Sequence, residues 1–518
     1  MRTSSTSADA PGSRRWISLA AICTAAGLVW VAFADFAVAI PTIGDDLDGD
    51  LGELQWANNA FSLVTGALVI AAGKFGDVFG RRRMLELGVV LFAGFSVGGA
   101  LAQSEALLIA GRGLMGIGAA LILPATLALI PPQFSGRDQL TAFGVWQAIA
   151  WGGQAIGPAI GGVITDVLGW QWLFWINLPL GLAVYLVIRA LTPESKNPNA
   201  SSHVDWLGLT TIGLAVFALL YALTDGPSVG WGDPLGVGLF VTAVVLAIGW
   251  CLIERQVRDP LVDLDLFRLR SYDGALVANL TMNLCFAGLS YLLVLWLQNV
   301  RGYDPVEAGL LMLPSTVGIF LFIPLGGRLN ARIGARAPVL VGLVIMSAGI
   351  LVLALLTEDV SLWLLAAALV VTGLGLGLLS TPISTTAVGD VPVDLAGTAA
   401  GVFKMSSMVG GALGVALLTA FGRTFSFRET EEAARRAGLS DEEVRDVKET
   451  LVDSDSFQGA LGSLREDLRA TVTQVAKAAF SAGIADALLV TGVLALAATV
   501  VVALVWPRPH RRRRAQTE

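Results

Sequence analysis

Two residues of opposite charge stand inside long apolar stretches of this chain. Asp35 lies in the first stretch, 16–42, and Arg112 lies in the fourth, 106–130. From the helical rise per residue, they lie roughly 12 Å and 9 Å from the predicted outer ends of their stretches. A charge among apolar groups is costly, so we expect the side chains to meet, directly or through water. The carboxylate could then bind a proton when water leaves its surroundings. A purely structural ion pair is the alternative.

A third charge lies in the penultimate apolar stretch. Lys404 follows Gly401-Val402-Phe403, roughly 12 Å from the predicted inner end of its helix. Its long side chain could extend inward to the membrane surface. Alternatively it faces an internal cavity, where it would repel cations and attract anions. Direct pairing with Asp35 is not expected, because the two depths differ.

Several polar and aromatic residues are further candidates for the lining of a cavity. The fifth apolar stretch contributes Trp146, Gln147, Trp151 and Gln154. The ninth contributes Asn279 and Asn283. For all six, packing between helices is the alternative, and it is favoured for the two asparagines.

The fifth stretch also carries a run of small residues around a proline. The residues are Gly153, Gly157, Pro158, Gly161 and Gly162. Proline removes a helical hydrogen bond, and glycine lets the backbone bend and pack closely. We predict a flexing helix here, with ordinary glycine-mediated packing as the alternative.

The connection after the second apolar stretch combines glycines, one acid and several arginines. Its key residues are Gly73, Asp77, Gly80, Arg81 and Arg82. The glycines permit a tight reversal, and Asp77 can cap or pair at the start of the next helix. We predict a conformational latch; a topology anchor is the alternative.

A degenerate copy of this connection occurs much later, at Gly327–Arg336. There Ala331 stands at the position of Asp77, so this copy should be the weaker latch. The repeat makes spans one to six equivalent to nine to fourteen, with two inserted between them. We predict an N-terminal six-helix bundle (1–193), two inserted helices (194–258) and a C-terminal six-helix bundle (259–506). A basic cytoplasmic tail (507–518) follows.

Composition defines the class of protein that contains these residues. Of 518 residues, 55% are hydrophobic and 14% are charged, against about 25% charged in soluble domains. We predict an all-α polytopic membrane protein, because about 20 mostly apolar residues cross a bilayer. Fourteen spans are predicted: 16–42, 54–74, 84–103, 106–130, 140–165, 170–191, 204–224, 234–254, 272–299, 306–328, 337–357, 361–388, 396–422 and 479–506.

The connections indicate the orientation of the chain. Lys and Arg gather in alternate connections and at both termini, and acids gather in the others. Cytoplasmic connections are enriched in Lys and Arg, so both termini are predicted to be cytoplasmic. The long connection 424–477 is then extracellular. Its capping box, Ser440–Glu443, indicates a small helical hairpin, and a disordered acidic loop is the alternative.

Other chemistries find no support in the sequence. No Gly-Lys-Ser/Thr phosphate-binding motif is present, so ATP is not the expected energy source. The two histidines, His203 and His510, lie in connections, so no Ser/His/Asp site is credible. We expect no metal and no cofactor, and no nucleic-acid partner because no basic domain stands apart.

Several of these segments resemble the major facilitator superfamily, and in particular its fourteen-helix drug:proton antiporter branch. Gly73–Arg83 resembles the superfamily's loop signature. Arg112–Ala120 resembles a span-four signature associated with proton coupling, and Gly153–Gly162 resembles a span-five signature found mainly in exporters. The two inserted spans are typical of this branch.

The chain departs from the branch at three positions. Met115 stands where glutamine is usual. The acid often found in span one aligns with Ala32, whereas Asp35 lies one turn further on. The charge in span thirteen is Lys404, where relatives often have polar residues or arginine, so specificity could differ from that of exporters of lipophilic cations.

The resemblance implies the fold of two six-helix bundles plus two inserted helices, fourteen in all. It implies proton-driven efflux of amphipathic small molecules across the cytoplasmic membrane by alternating access, with no cofactor. Asp35 and Arg112 would couple protons, and the partners would be substrate, protons and membrane lipid. We expect a monomer and not an enzyme. Alternatives are a proton-coupled transporter of one metabolite, lipid or siderophore, including an anionic one, and a non-transporting docking protein.

Overall fold

The computed structural model describes residues 12–47, 49, 51–198, 205–229, 232–257, 260–262, 264–436 and 466–507. These residues are almost entirely helical, and none of them belongs to a strand. The helices are α1 (Gly12–Ala34), α2 (Phe36–Leu47), α3 (Leu51–Phe79), α4 (Arg81–Ala100), α5 (Glu105–Ala128), α6 (Gly136–Leu168), α7 (Trp172–Trp175), α8 (Asn177–Leu191), α9 (Trp206–Val229), α10 (Pro234–Glu254), α11 (Arg270–Asn299), α12 (Pro305–Leu311), α13 (Leu313–Ile333), α14 (Arg336–Leu353), α15 (Leu362–Ser384), α16 (Ala396–Arg436) and α17 (Glu466–Val505).

A helix lies at each of the fourteen predicted span positions. In the described part of the chain, thirteen spans are long and apolar enough to cross a membrane. The remaining predicted span is α6, with 33 residues. At about 1.5 Å per residue it is long enough for a bilayer core. Its glycines, tryptophans and glutamines make it less apolar than the others.

Three predicted spans consist of two helices each. The first is interrupted at Asp35, the sixth at Ile176 and the tenth at Met312. A proline follows the second and third interruptions closely, at Pro179 and Pro314. Proline is favoured near the start of a helix because it donates no backbone hydrogen bond there. These prolines therefore mark where the second helix of each span begins.

The chain forms two compact units. The first contains Met1–Arg268 and Ser384–Val409, and the second contains Leu269–Ile383 and Gly410–Glu518. The division of the sequence at 193 and 258 into bundles and an inserted pair stays a prediction.

Glycine-mediated contact brings α4 and α5 together in the first unit. A Cβ on Gly118 would lie 2.7 Å from Phe92 Cα, and a Cβ on Gly88 would lie 3.0 Å from Gly118 O. Side chains of that size cannot fit, so the two backbones approach more closely than larger residues allow. Phe61, Phe92 and Phe174 are fully buried beside this contact.

The second unit uses the same packing device. On α15, a Cβ on Gly377 would lie 3.0 Å from Ile319 Cα of α13, and one on Gly375 would lie 2.8 Å from Met346 Cα of α14. A Cβ on Gly414 of α16 would lie 2.8 Å from Leu284 Cα on α11. Helix α15 therefore packs closely on two neighbours through different glycines.

The helices on either side of the predicted extracellular hairpin are longer than expected. Helix α16 continues to Arg436, well into the predicted loop 424–477, and α17 already begins at Glu466. They contain 41 and 40 residues, about twice the number that crosses a bilayer. The capping box at Ser440–Glu443 and the basic tail 508–518 lie outside the described residues.

Gly118→Ala should destabilise the protein, because its methyl group would overlap the backbone of α4. Overpacking of this kind costs about 1–3 kcal/mol. We expect a lower unfolding temperature for the purified protein in detergent. Gly94→Ala is the matched control, because no atom lies within 4 Å of a Cβ at that position. Equal unfolding temperatures for the two variants would contradict the close approach of α4 and α5.

Candidate functional site

Asp35 lies at the interruption between α1 and α2 and is buried, with 6% of its surface exposed. Its backbone N–H still donates to Val31 O at 2.8 Å, so the helical hydrogen bonding continues through the break. Helix α6 approaches here, because a Cβ on Gly161 would lie 2.9 Å from Asp35 Cα. Gly161 therefore provides the space on α6 in which Asp35 packs.

Arg112 is also buried and lies near Asp35, because it contacts Ala32 and Phe36 on either side of that acid. Its Nη2 donates to Asn58 Oδ1 at 2.7 Å and to Ala32 O at 3.0 Å. Its guanidinium lies 4.6 Å from the ring centroids of both Phe36 and Phe61. Cation–π contacts and hydrogen bonds therefore hold this charge.

Among the described residues no N–O distance of 4.0 Å or less joins Asp35 to Arg112, so the direct ion pair is wrong, and a contact through water stays a prediction. The similar depth was sufficient to bring them close together. The amide of Asn58 provides a neutral acceptor, so the arginine does not need the carboxylate. Asn58 thereby joins α3 to α5, the helix-to-helix role that a polar residue within an apolar span suggests, but its partner could not be predicted from the sequence.

Lys404 does not extend to a membrane surface. Its side chain is buried, with 4% of the residue exposed. Its Nζ lies 4.2 Å from the ring centroid of Trp146 and 5.2 Å from that of Trp30. The ring of Phe403 lies 5.4 Å away. The ammonium group therefore lies inside the protein among aromatic faces, and whether it faces a cavity stays a prediction.

The other cavity candidates are divided between the two units. In the first unit Trp146, Gln147 and Trp151 are buried on α6, whereas Gln154 is exposed. Trp146 Nε1 donates to Thr126 Oγ1 at 3.1 Å, which fixes the ring beneath Lys404.

In the second unit Asn283 Nδ2 donates to Asn279 O at 2.8 Å. The two asparagines therefore share a hydrogen bond along one face of α11. Whether any of these residues contacts a substrate stays a prediction.

The small residues of α6 pack against α1. A Cβ on Gly153 would lie 3.1 Å from Trp30 Cβ, and one on Gly157 would lie 2.7 Å from Ala34 Cβ. Gly162 has ordinary space, with its nearest neighbour, Val38 Cγ1, at 3.7 Å. Close packing therefore describes Gly153, Gly157 and Gly161, and flexing at Pro158 stays a prediction.

The predicted latch contains a buried ion pair. Arg81 Nη2 donates to Asp77 Oδ1 at 2.6 Å and Nε donates to the same oxygen at 3.0 Å. Arg81 is fully buried and Asp77 is 2% exposed. Arg81 also donates from Nη1 to Ser195 Oγ at 3.1 Å, and from Nη2 to Val393 O. This pairing at the start of α4 agrees with one of the two roles predicted for Asp77.

Asp77 caps a different helix from the one expected. Its Oδ1 accepts from Gly397 N at 2.9 Å, and its Oδ2 accepts from Thr398 N at 2.7 Å and Thr398 Oγ1 at 2.8 Å. These N–H groups belong to the first turn of α16, where no helical partner exists for them. A carboxylate there also faces the positive end of the helix dipole. Asp77 therefore joins the end of α3 to the start of α16.

Glu194 takes the capping position at α4 that was expected for Asp77. It accepts from Arg82 N at 3.0 Å and from Arg83 N at 3.3 Å. Arg82 Nε lies 3.8 Å from Glu194 Oε2 and 3.4 Å from Glu86 Oε1. Sequence reasoning did not identify Glu194, because it lies over a hundred residues from the turn.

The chain reverses later than the glycine spacing suggested. Helix α3 continues through Gly73 and Asp77 and ends at Phe79. The reversal is at Gly80, whose φ of 111° favours glycine. Gly73 instead serves close packing, because a Cβ there would lie 3.1 Å from Gly401 Cα on α16.

The degenerate copy reproduces the backbone but not the side-chain contacts. Gly334 has a φ of 81° and corresponds to Gly80. Ala331 and Ala335 stand where Asp77 and Arg81 form their ion pair. The copy retains Arg336, whose Nη2 donates to Ala503 O at 2.7 Å.

The segment before α16 is also tied to the first unit. Gln139 Nε2 of α6 donates to Gly389 O at 3.3 Å. Gly389 ends a short π-helical turn, Thr385–Gly389, of a kind often found at functional positions. Next to it, burial raises the pKa of Asp390 above its ordinary value.

Many apolar helices and internal charges together define a polytopic membrane protein built to hold polar groups within the bilayer. The residues 17–415 match the model of the Major Facilitator Superfamily. The chain belongs to this superfamily of transporters, as the sequence motifs predicted.

Several similar proteins are named for resistance. The "Multidrug resistance protein Stp" of Mycobacterium tuberculosis is 34% identical over 90% of this chain and 86% of its own length. The "Tetracenomycin C resistance and export protein" of Streptomyces glaucescens is 30% identical over 94% and 91%. The "Puromycin resistance protein pur8" of Streptomyces alboniger is 34% identical over 80% and 83%.

Solved structures share the fold at low sequence identity. The human organic anion transporter MFSD10 has a TM-score of 0.58 at 15% identity, covering 94% of this chain and 100% of that one. A bacterial homolog of the human lysosomal transporter Spinster has a TM-score of 0.55 at 16% identity, covering 96% and 98%.

Asp77→Asn should impair transport, because an amide cannot accept from Arg81, Gly397 and Thr398 at once. Breaking a buried ion pair costs about 3–5 kcal/mol, and we expect the transport rate to fall at least about tenfold. Transport is measured with purified protein in proteoliposomes. Ala331→Asn is the matched control in the degenerate copy and should have a mild effect. Equal effects of the two substitutions would indicate an anchor of topology only.

Proposed function

We propose that this chain is a proton-coupled exporter that moves amphipathic small molecules out of the cell by alternating access. The superfamily supplies the transporter class. The resistance relatives support efflux, because one of them is named for export as well as resistance. The internal charges of the first unit support coupling to protons. The proposal places the chain in the cytoplasmic membrane as a monomer with both termini cytoplasmic.

The position of Asp35 is the observation that carries proton coupling. The carboxyl is buried in a transmembrane position, and its nearest described cation is occupied by Asn58 and by the backbone of Ala32. Binding and release of a proton at Asp35 therefore need not break a direct ion pair. The electrostatic interaction with Arg112 would transmit that change to α5.

The coupling cycle follows from charge. When the site opens outward, Asp35 would bind a proton from the higher external proton concentration. When it opens inward, the proton would leave and substrate would bind. Asp77 and Arg81 would stabilise one state of this cycle by holding α3 to α16. No bound cofactor and no covalent change of the substrate is required, so the chain acts as a transporter and not as an enzyme.

Asp35→Asn should abolish proton-driven export, because an amide does not exchange a proton in this pH range. The measurement uses proteoliposomes with an imposed proton gradient, and puromycin and a quinolone as test compounds. The readouts are substrate movement and the accompanying proton flux. Asp45→Asn is the matched control, since Asp45 is an exposed acid on α2, ten residues away.

Unchanged proton flux in Asp35→Asn, with normal protein levels, would rule out the assignment of this residue. If the unsubstituted protein moves none of the test compounds and no protons, the export proposal itself fails. Export that continues without a proton gradient would exclude the proposed energy source.

A further inference from the structure

We propose that Lys404 and Trp30 bind the anionic group of the exported compound, and that Lys404 excludes cations by filling an aromatic cage itself. This inference rests on the proposed export function and specifies its substrate class. The compound would carry a carboxylate, sulfonate or phenolate next to an aromatic ring. The aromatic cage is defined here as the rings of Trp30 and Trp146.

The two cage residues and Lys404 come from three helices, and all three residues lie in the first unit. Trp30 lies on α1, Trp146 on α6 and Lys404 on α16. Trp146 is fully buried, and its hydrogen bond to Thr126 holds its ring in place. The Nζ of Lys404 lies 4.2 Å from that ring and 5.2 Å from the ring of Trp30. The position of the ammonium group is therefore set by rigid surroundings.

The contacts of Lys404 leave its hydrogen-bonding capacity unused. Across the described ranges, no side-chain or backbone oxygen accepts a hydrogen bond from its Nζ, and no carboxylate lies within ion-pair distance of it. Aromatic faces attract a cation but accept no conventional hydrogen bond from it as strong as that of an oxygen. A buried ammonium in such surroundings lacks a negatively charged partner. A ligand can supply that partner.

Trp30 provides a second unused donor beside the first. Its Nε1 is buried and has no hydrogen-bond partner in the part of the chain that the structure describes. Buried polar groups are normally paired, so an exception requires an explanation. Lys404 and Trp30 thus offer two donors with no acceptor between them. An anionic oxygen satisfies both, whereas a cation satisfies neither.

The charges of the first unit point to the same sign of ligand. Asp35 and Arg112 interact with each other electrostatically, and their charges offset. The positive charge of Lys404 has no such counterpart among the described residues. A bound anion would therefore balance the charge within the span, which lowers the cost of burying both groups.

The aromatic cage also explains how cations would be excluded. Cages of tryptophan rings are a common means of binding organic cations. Here the chain's own ammonium occupies the cage. A cationic compound would meet a like charge and find the aromatic faces covered. Removing the lysine should therefore do two things at once: weaken anion binding and open the cage to cations.

Two xanthene dyes of similar size test the sign of the ligand directly. Fluorescein is anionic and rhodamine 123 is cationic at pH 6.5. Binding is measured by fluorescence anisotropy with the purified full-length protein in detergent. We expect the unsubstituted protein to bind fluorescein at least about tenfold more tightly than rhodamine 123. Equal affinities, or a preference for rhodamine 123, would overturn the proposal.

Substitutions at the cage identify the residues responsible. Lys404→Gln should weaken fluorescein binding at least about tenfold and strengthen rhodamine 123 binding. Lys404→Arg should keep the preference for the anion. Trp30→Phe retains a ring but removes the donor, so it should weaken fluorescein binding without any gain for rhodamine 123. Lys196→Gln is the control, since Lys196 is an exposed lysine of the same unit.

The outcomes separate this inference from the export proposal. If Lys404→Gln binds both dyes as the unsubstituted protein does, the cage does not determine specificity and the inference fails. If Lys404→Gln does not fold, Trp30→Phe and the unsubstituted protein still decide the question. A preference for the anion without any proton-driven movement in proteoliposomes would retain the recognition site and refute the exporter.

Discussion

The high cost of an uncompensated charge away from water governs the arrangement of this protein. Three of the buried charges are compensated in three different ways. Asp77 has an ion pair and the free N–H groups of a helix terminus. Arg112 has an amide, a carbonyl oxygen and two aromatic rings. Lys404 has aromatic rings alone. A buried charge with few partners in the protein has more to gain from a bound ligand. The number of protein partners therefore distinguishes a structural charge such as Asp77 from a candidate binding residue such as Lys404.

Helices must approach closely for these solutions to work. The glycines of α6 bring its backbone against α1, which places Asp35 and Trp30 at fixed positions beside that helix. Gly73 similarly lets α3 approach α16, and only that approach allows a short carboxylate such as Asp77 to reach the backbone of α16. Small residues thus determine where polar side chains can act, although they take no part in the chemistry.

Some of this architecture could be predicted from sequence, because those features depend on residues close together in the chain. Hydropathy marks the spans because every transmembrane helix meets the same solvent. The latch turn and its copy share a glycine that needs positive φ, which a repeat in sequence reveals. Partner choice is different. Arg112 bonds to Asn58 rather than to Asp35, and Lys404 contacts Trp146. Both choices depend on how each helix is rotated about its axis, which hydropathy does not encode. Glu194 and Thr398 lie too far from the turn for any local pattern to connect them with it.

Asp77 is far in sequence from α16, the helix that it caps, and this distance has a consequence for biosynthesis. Thr398 N donates a hydrogen bond to Asp77 Oδ2, and these two residues are 321 positions apart in the sequence. At about 5–20 residues per second, a ribosome needs roughly 15–65 s to make the intervening chain. During that interval α16 does not yet exist, so its N–H groups cannot bind the carboxylate of Asp77. Arg81, four residues away, is available almost at once as a counter-ion. The same ion pair that later stabilises the folded protein thus protects a nascent chain whose other half has not yet been translated.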